Sequence, residues 1–270
     1  MPELPEVETT RRGLAPLVEG RTVSGVVVRH RGLRWPVPRG LAGRIAGRKV
    51  RSLRRRGKYL LFDLGDATLI VHLGMSGSLR AAPAGEAPGP YDHFDLALGD
   101  RTLRLRDPRR FGAVLWHRGP PEEHRLIRGL GVEPLGPAFT PRFLFAASRG
   151  RKVAVKQFLM NAAVVVGIGN IYASESLFRA RVNPKLAAGR LSRAACERLC
   201  AAVRQTLERA IAAGGSSLRD FVGSDGSPGH FQQEYSVYGR EGEPCRVCGT
   251  PIRRIVQAAR STFYCPRCQR

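Results

Sequence analysis

The chain has 270 residues, and its 45 Lys and Arg against 22 Asp and Glu leave a formal net charge of +23. That length has room for two ordinary domains, and that charge calls for a polyanionic partner, most commonly nucleic acid. No apolar run is long enough to span a bilayer and no isolated basic amphipathic helix points to a membrane surface, so a membrane partner is excluded.

The N-terminus reads Met-Pro-Glu-Leu-Pro-Glu, acidic and broken by proline, unlike a secretion signal, so a cytoplasmic protein is expected. Residues 4–14 are predicted to form a helix with acids in its first turn and Arg11 and Arg12 beyond. Short, often alternating apolar runs follow at 22–28, 59–64, 68–73, 94–98 and 102–106, a series that favours an antiparallel β-sandwich or barrel. Residues 81–90, rich in Ala, Pro and Gly, read as a surface loop. The fold class is therefore α+β and multidomain: an N-terminal β-rich domain over 1–133, a linker over 134–150, and a helical domain over 151–238. Its helices are expected at 153–161, 171–179 and 192–213, the last N-capped by Ser192, with a mobile loop at 221–238. Cys196 and Cys200, four apart, read as reduced thiols on one buried helix face. No repeat or oligomerisation element is visible, and a monomer is expected.

Residues 239–270 form a finger. Cys245-x-x-Cys248, sixteen residues, then Cys265-x-x-Cys268 is the spacing of a tetrahedral site for one structural zinc, each pair supplying two thiolates from a tight turn. Two disulfides are the alternative, but nothing else in the chain points to export. The intervening residues read as a β-hairpin with a polar tip near Arg260, and Arg253, Arg254, Arg260 and Arg267 suit it to gripping phosphate.

Lysine occurs only at positions 49, 58, 152, 156 and 185, and every other cation is arginine. A retained lysine offers a compact charge or a nucleophilic amine that guanidinium lacks, a pointer to Lys58 and Lys156 that chance survival matches evenly. Methionine before a small residue is usually trimmed, and its loss would expose the secondary amine of Pro2 beside Glu3 and Glu6. An α-amine with pKa near ~8 is available around neutrality, and such an amine attacks a sugar C1′ to give an iminium ion. The competing reading is that Pro2 starts a helix whose dipole the acids serve, and residue chemistry by itself favours it.

Longer motifs change that balance. Residues 1–9 (MPELPEVET), 57–61 (GKYLL), 72–77 (HLGMSG), 107–112 (DPRRFG), 167–175 (GIGNIYASE) and the four-cysteine finger together resemble the bacterial formamidopyrimidine-DNA glycosylases, in order and from end to end. The related endonuclease VIII branch usually begins Met-Pro-Glu-Gly-Pro-Glu and lacks this form of the 107–112 motif.

The resemblance implies an N-terminal β-sandwich, a helix-two-turns-helix domain and the zinc finger. It implies a bifunctional glycosylase and abasic-site lyase acting on double-stranded DNA that carries oxidised purines or abasic sites. Pro2 would be the nucleophile, Glu3 the general acid/base and Glu6 a supporting carboxylate, while Lys58 and Arg260 would hold phosphates beside the lesion. Met75, Arg109 and Phe111 would fill the gap left by the flipped nucleotide, and core packing is the alternative for Met75 and Phe111. His93, Arg110, Asn170 and Tyr238 would touch DNA; an ordinary surface role for His93 and packing for Tyr238 are the alternatives. Lys156 would lie near the lesion, and Glu175 would order the DNA-binding groove. Two departures from the family pattern stand out. The Asn161-Ala162-Ala163 run replaces a charge pair near the binding helices, and Arg219 replaces a common lysine ahead of the loop thought to cover the flipped base.

Overall fold

The computed structural model describes residues 2–217, 223 and 227–270. The chain divides into two compact units, Met1–Arg128 with Ala213–His230, and Gly129–Ala212 with Phe231–Arg270.

The first unit opens with helix α1 (Leu4–Val18). Strand β1 (Gly25–Val28) and the short helix α2 (Leu41–Ile45) follow. Then come β2 (Ser52–Arg56), β3 (Tyr59–Asp63), β4 (Ala67–His72), β5 (Ser78–Pro83), β6 (Asp92–Ala97), β7 (Arg101–Arg106) and β8 (Ala113–Arg118). Two four-stranded antiparallel sheets result, ordered β1-β6-β7-β5 and β2-β3-β4-β8. Val7, Leu14 and Val18 of α1 join Leu53, Phe62, Leu69, Phe94 and Leu105 of the strands in one apolar core. Burying such side chains contributes about 1.5–3 kcal/mol each, which seats the N-terminal helix on β2 and β5.

All five expected strands are present. The three missed ones, β2, β5 and β8, are edge strands. An edge needs little apolar sequence: β2 is Ser-Leu-Arg-Arg-Arg and buries only Leu53 fully. Strand β5 runs into the expected 81–90 loop as far as Pro83, where an edge position tolerates the missing N–H. In register, Arg56 faces Tyr59, Tyr59 faces His72 and His72 faces Ala113. The 57–58 turn and the segments after β4 and before β8 therefore share one end of this sheet.

The second unit holds α3 (Pro141–Ser148), α4 (Val155–Leu159), α5 (Asn170–Arg179), α6 (Arg193–Ala212) and the hairpin β9 (Arg253–Gln257)–β10 (Arg260–Tyr264). Helix α3 lies inside the stretch expected as linker; Thr140 caps it by accepting the Phe143 N–H at 3.1 Å, and Leu144 anchors it. Ser192 caps α6 through the Ala195 N–H, and Cys196 and Cys200 are buried free thiols on its inner face. Burial pushes the Cys200 thiol up to about 12, with a smaller contribution from Cys196. The expected mobile loop is corrected over 231–238. Phe231–Glu234 forms a 3-10 turn, Phe231 and Tyr235 are buried, and Phe231 lies 5.7 Å from Tyr172. Among the described residues no helix is long and apolar enough to cross a membrane.

Candidate functional site

In the first unit, the start of α1 is held by a reciprocal capping box. The Glu3 carboxylate accepts the N–H of Glu6, and Glu6 Oε2 accepts the N–H of Glu3 at 2.8 Å. Glu6 Oε1 accepts the N–H of Ser216 at 2.8 Å, from 210 residues along the chain. Both carboxylates are 2 % exposed, and Pro2 is buried ahead of them. A buried carboxylate is tolerated only when hydrogen-bonded, so these backbone donors decide where Glu6 sits and, through it, where Glu3 sits.

Lys58 follows Gly57 in the two-residue β2–β3 turn, where Gly57 takes φ 56°, a conformation glycine adopts without steric cost. His72, paired with Tyr59, lies with its ring 4.9 Å from the Tyr59 ring at a tilt of 50°, and accepts the Gly74 N–H through Nδ1 at 2.9 Å. Burial, and then the charges of Lys58 and Arg34, hold its imidazole down at about 4. His72 is therefore neutral near pH 7, with its proton on Nε2.

The 74–77 and 107–112 segments are clamped together by Asp107, which is fully buried. Its Oδ1 accepts from Ser76 Oγ at 2.8 Å, its Oδ2 from the Gly112 N–H at 2.7 Å, and Ser76 Oγ accepts the Arg109 N–H at 3.2 Å. Gly74 (φ 67°) lies so close to Phe111 and Gly112 that a Cβ there would collide with their backbone. Three side chains stand out from this clamp: Met75 at 38 % exposure, Phe111 at 42 %, and Arg109, whose guanidinium lies 5.0 Å from the Phe111 ring. Core packing is thus excluded for Met75 and Phe111.

His93 is no ordinary surface residue. It is buried, its Nε2–H donates to the Asp107 carbonyl at 3.0 Å, and its ring lies 5.3 Å from that of His30. Arg110, at φ 58°, reaches His30 Nε2 at 2.7 Å. With Arg29 and Tyr91 these side chains line a cleft of roughly 430 Å³.

In the second unit, Asn170 opens α5 and donates from Nδ2 to the Ser261 carbonyl at 3.0 Å and to Tyr238 Oη at 3.5 Å. Two of the expected groove residues are buried. Lys156 is 1 % exposed, and its ammonium donates to the Ser261 carbonyl at 2.8 Å and to Thr262 Oγ1 at 2.7 Å. It grips β10 immediately beyond Arg260 and does not face outward. Glu175 is buried too, and accepts the N–H groups of Ser236, Val237 and Tyr238 at 2.8–3.0 Å. Arg260 itself is exposed.

The finger's tip also differs from expectation. The β9–β10 turn is Ala258-Ala259, and both take left-handed φ, 47° and 58°, at a cost of about 1–2 kcal/mol per residue. The four cysteine sulfurs lie within 4.8 Å of one another, with Cys245–Cys268 at 3.9 Å and Cys248–Cys265 at 3.5 Å. Zinc–thiolate bonds of about 2.3 Å at tetrahedral angles put sulfurs roughly 3.8 Å apart, so the cradle fits one zinc ion. The Val247 and Cys268 N–H groups point at Cys245 and Cys265 Sγ, as suits thiolates.

Three family models match the chain. They are the formamidopyrimidine-DNA glycosylase N-terminal domain over residues 1–114, its H2TH domain over 130–222, and a zinc finger found in FPG and IleRS over 242–270. The formamidopyrimidine-DNA glycosylase of Herminiimonas arsenicoxydans is 58 % identical over the whole of both chains. The chain belongs to the formamidopyrimidine-DNA glycosylase family. It is a DNA glycosylase of base excision repair. A Lactococcus lactis Fpg mutant in complex with Fapy-dG-containing DNA is 32 % identical with a TM-score of 0.92 over all of both chains. The same organism's Fpg bound to abasic-site DNA is 33 % identical with a TM-score of 0.91 over 99 % of each.

For this glycosylase, sequence reasoning overlooked His72, although it heads the 72–77 motif, because one histidine carries no signal until its strand register is known. It also overlooked Asp107 as a clamp, because Ser76 and Gly112 become its partners only on folding. The Asn161-Ala162-Ala163 departure forms a local turn in which Asn161 Oδ1 accepts the Ala163 N–H at 3.0 Å. Arg219 lies outside the described residues.

Proposed function

We propose that this chain excises oxidised purines, 8-oxoguanine and formamidopyrimidines, from duplex DNA and then cuts the strand by β- and δ-elimination, with Pro2 as the nucleophile. Loss of Met1 leaves Pro2 a secondary amine. Its lone pair bonds to deoxyribose C1′ as the glycosidic bond breaks, and the base departs with that bond's electrons and a proton. Glu3 delivers a proton to the ring oxygen as the sugar opens, leaving an iminium between Pro2 and C1′. The iminium takes up electrons as C2′ loses a proton and the 3′ phosphate leaves. Loss of a further proton expels the 5′ phosphate, and water then releases Pro2.

The observation that most supports this reading is the capping box. It fixes the buried Glu3 carboxylate directly after Pro2, beside the proposed nucleophile. Lys58 and Arg260 take the phosphates beside the lesion, with Asn170, Tyr238, His93 and Arg110 as further contacts. Met75, Phe111 and Arg109 occupy the gap, the guanidinium facing the orphaned cytosine. Lys156 and Glu175 place Arg260 and Tyr238 and do not touch DNA. Bound zinc, held by Cys245, Cys248, Cys265 and Cys268, supplies the cross-link that folds the finger. The chain acts as a cytosolic monomer.

Borohydride trapping on a duplex with one 8-oxoguanine opposite cytosine tests this. Wild type is expected to give a covalent adduct, whereas Pro2→Gly and a chain with a blocked, extended N-terminus give none. Binding without adduct or strand cleavage would sink the reading, and an oxidised-pyrimidine duplex would then separate a different substrate from a silent DNA binder.

A further inference from the structure

We propose that Glu8 and Arg55 are a pair of positioning residues that set the spacing between the proline-bearing end of α1 and the phosphate-gripping Lys58. This inference rests on the roles proposed above for Pro2 and Lys58. Glu8 lies five residues beyond Glu3 and two beyond Glu6 on α1, and its side chain is 10 % exposed. Its Oε2 accepts from Arg55 Nε at 3.0 Å, and its Oε1 accepts from Arg11 Nη2 at 2.8 Å and Arg12 Nε at 2.9 Å. Arg55, 11 % exposed on β2, uses another edge of its guanidinium to donate from Nη1 to the Gly57 carbonyl at 3.0 Å. Gly57 directly precedes Lys58, so one planar group ties the catalytic helix to the turn that aims the lysine.

A purely stabilising contact would not need this construction. A nearly buried ion pair gains little over apolar packing of the same volume, because desolvation offsets the attraction. What a fork of rigid donors adds is geometry: two elements held at fixed distance by one residue, which an ammonium on a flexible stem does not reproduce. Burial works against the Glu8 carboxylate, but hydrogen bonds from Arg11, Arg12 and Arg55 outweigh it and hold its pKa at about 2. The latch therefore stays ionised at every pH where a DNA duplex persists. Misplacement of a catalytic group by about 1 Å costs on the order of 100-fold in rate, which is the scale of effect expected here.

The test compares Glu8→Gln, Arg55→Lys, Lys58→Ala and the double variant Glu8→Gln/Lys58→Ala in the full zinc-loaded chain. Single-turnover excision and borohydride trapping are measured at saturating enzyme, alongside Tm and the salt dependence of binding to an uncleavable abasic-analogue duplex. Expected are roughly 10- to 100-fold slower chemistry in Glu8→Gln and Arg55→Lys, and a double variant no slower than Lys58→Ala. The slope of log K against log salt should shrink by about one in Lys58→Ala and partly in the latch variants. Arg55→Lys keeps the charge and guards against a Glu8→Gln chain that fails to fold. Wild-type chemistry with only a lower Tm, or slowing that adds to that of Lys58→Ala, would overturn the latch alone. Absence of a Pro2-dependent adduct in wild type would overturn both the latch and the function it serves.

Discussion

The N-terminal helix start and the zinc finger are built in opposite ways. At the helix start, carboxylates collect backbone donors and guanidinium groups within a large apolar core: Glu6 takes the N–H groups of Glu3 and Ser216, and Glu8 takes Arg11, Arg12 and Arg55. The finger has a small core, chiefly Phe178, Val237, Ile252 and Phe263 around the cysteines, and relies on four thiolates converging on one point. The first region should therefore yield to acid and the second to loss of metal. A protein that needs both can be dissected through either.

Metal removal should have the largest effect. Structural zinc contributes roughly 10–16 kcal/mol of apparent binding free energy, far more than a core of this size supplies. Chelation, or Cys265→Ser, is expected to abolish detectable lesion binding while the first unit keeps its own cooperative unfolding transition. Calorimetry combined with duplex binding would check this, and loss of both transitions together would break the contrast.

Acid comes next. His72 is held at about 4, chiefly by burial, against an ordinary 6.5, so the unfolded chain takes up a proton that the folded chain refuses. Stability should fall as pH drops from 6.5 towards 4, by on the order of 2 kcal/mol. Glu8, at about 2 against 4.5, is lowered too, but because burial is outweighed by hydrogen bonds from Arg11, Arg12 and Arg55 that favour its charged form: its contribution is complete above 4.5 and vanishes as pH falls through 2. Urea unfolding from pH 7 to 3 would follow both. In His72→Gln the decline between 6.5 and 4 should flatten, and an unchanged decline would assign it elsewhere.

The smallest effect sharpens the comparison within the finger. Ala258 and Ala259 hold left-handed φ where glycine would sit without strain. Ala259→Gly should stabilise the zinc-loaded chain by roughly 0.5–1 kcal/mol, the relief of strain exceeding the added chain entropy. Differential scanning calorimetry would register it, and a lower Tm would mean that the tip is not strained.

The sequence by itself determined the metal site, the start of α1, the long α6 and the family, because each is written in neighbouring residues. Paired cysteines in tight turns, a Glu-x-x-Glu opening and a helical apolar period need no distant partner to be recognised. Three of the four edge strands of the two four-stranded sheets were illegible for a related reason: β2, β5 and β8 are each covered by sheet on one side only, so little apolar alternation marks them. What only the tertiary structure decided is where the charges point. Lys156, expected near the lesion, grips β10, and Glu175, expected to order the groove, gathers the amides of 236–238. Asp107 clamps two loops, Glu6 reaches Ser216, and Glu8 meets Arg55. Apart from Gly112, five residues from Asp107, each of those partners lies tens to hundreds of residues away in the chain. A buried charge must find its partners wherever folding brings them, and sequence spacing holds no record of that.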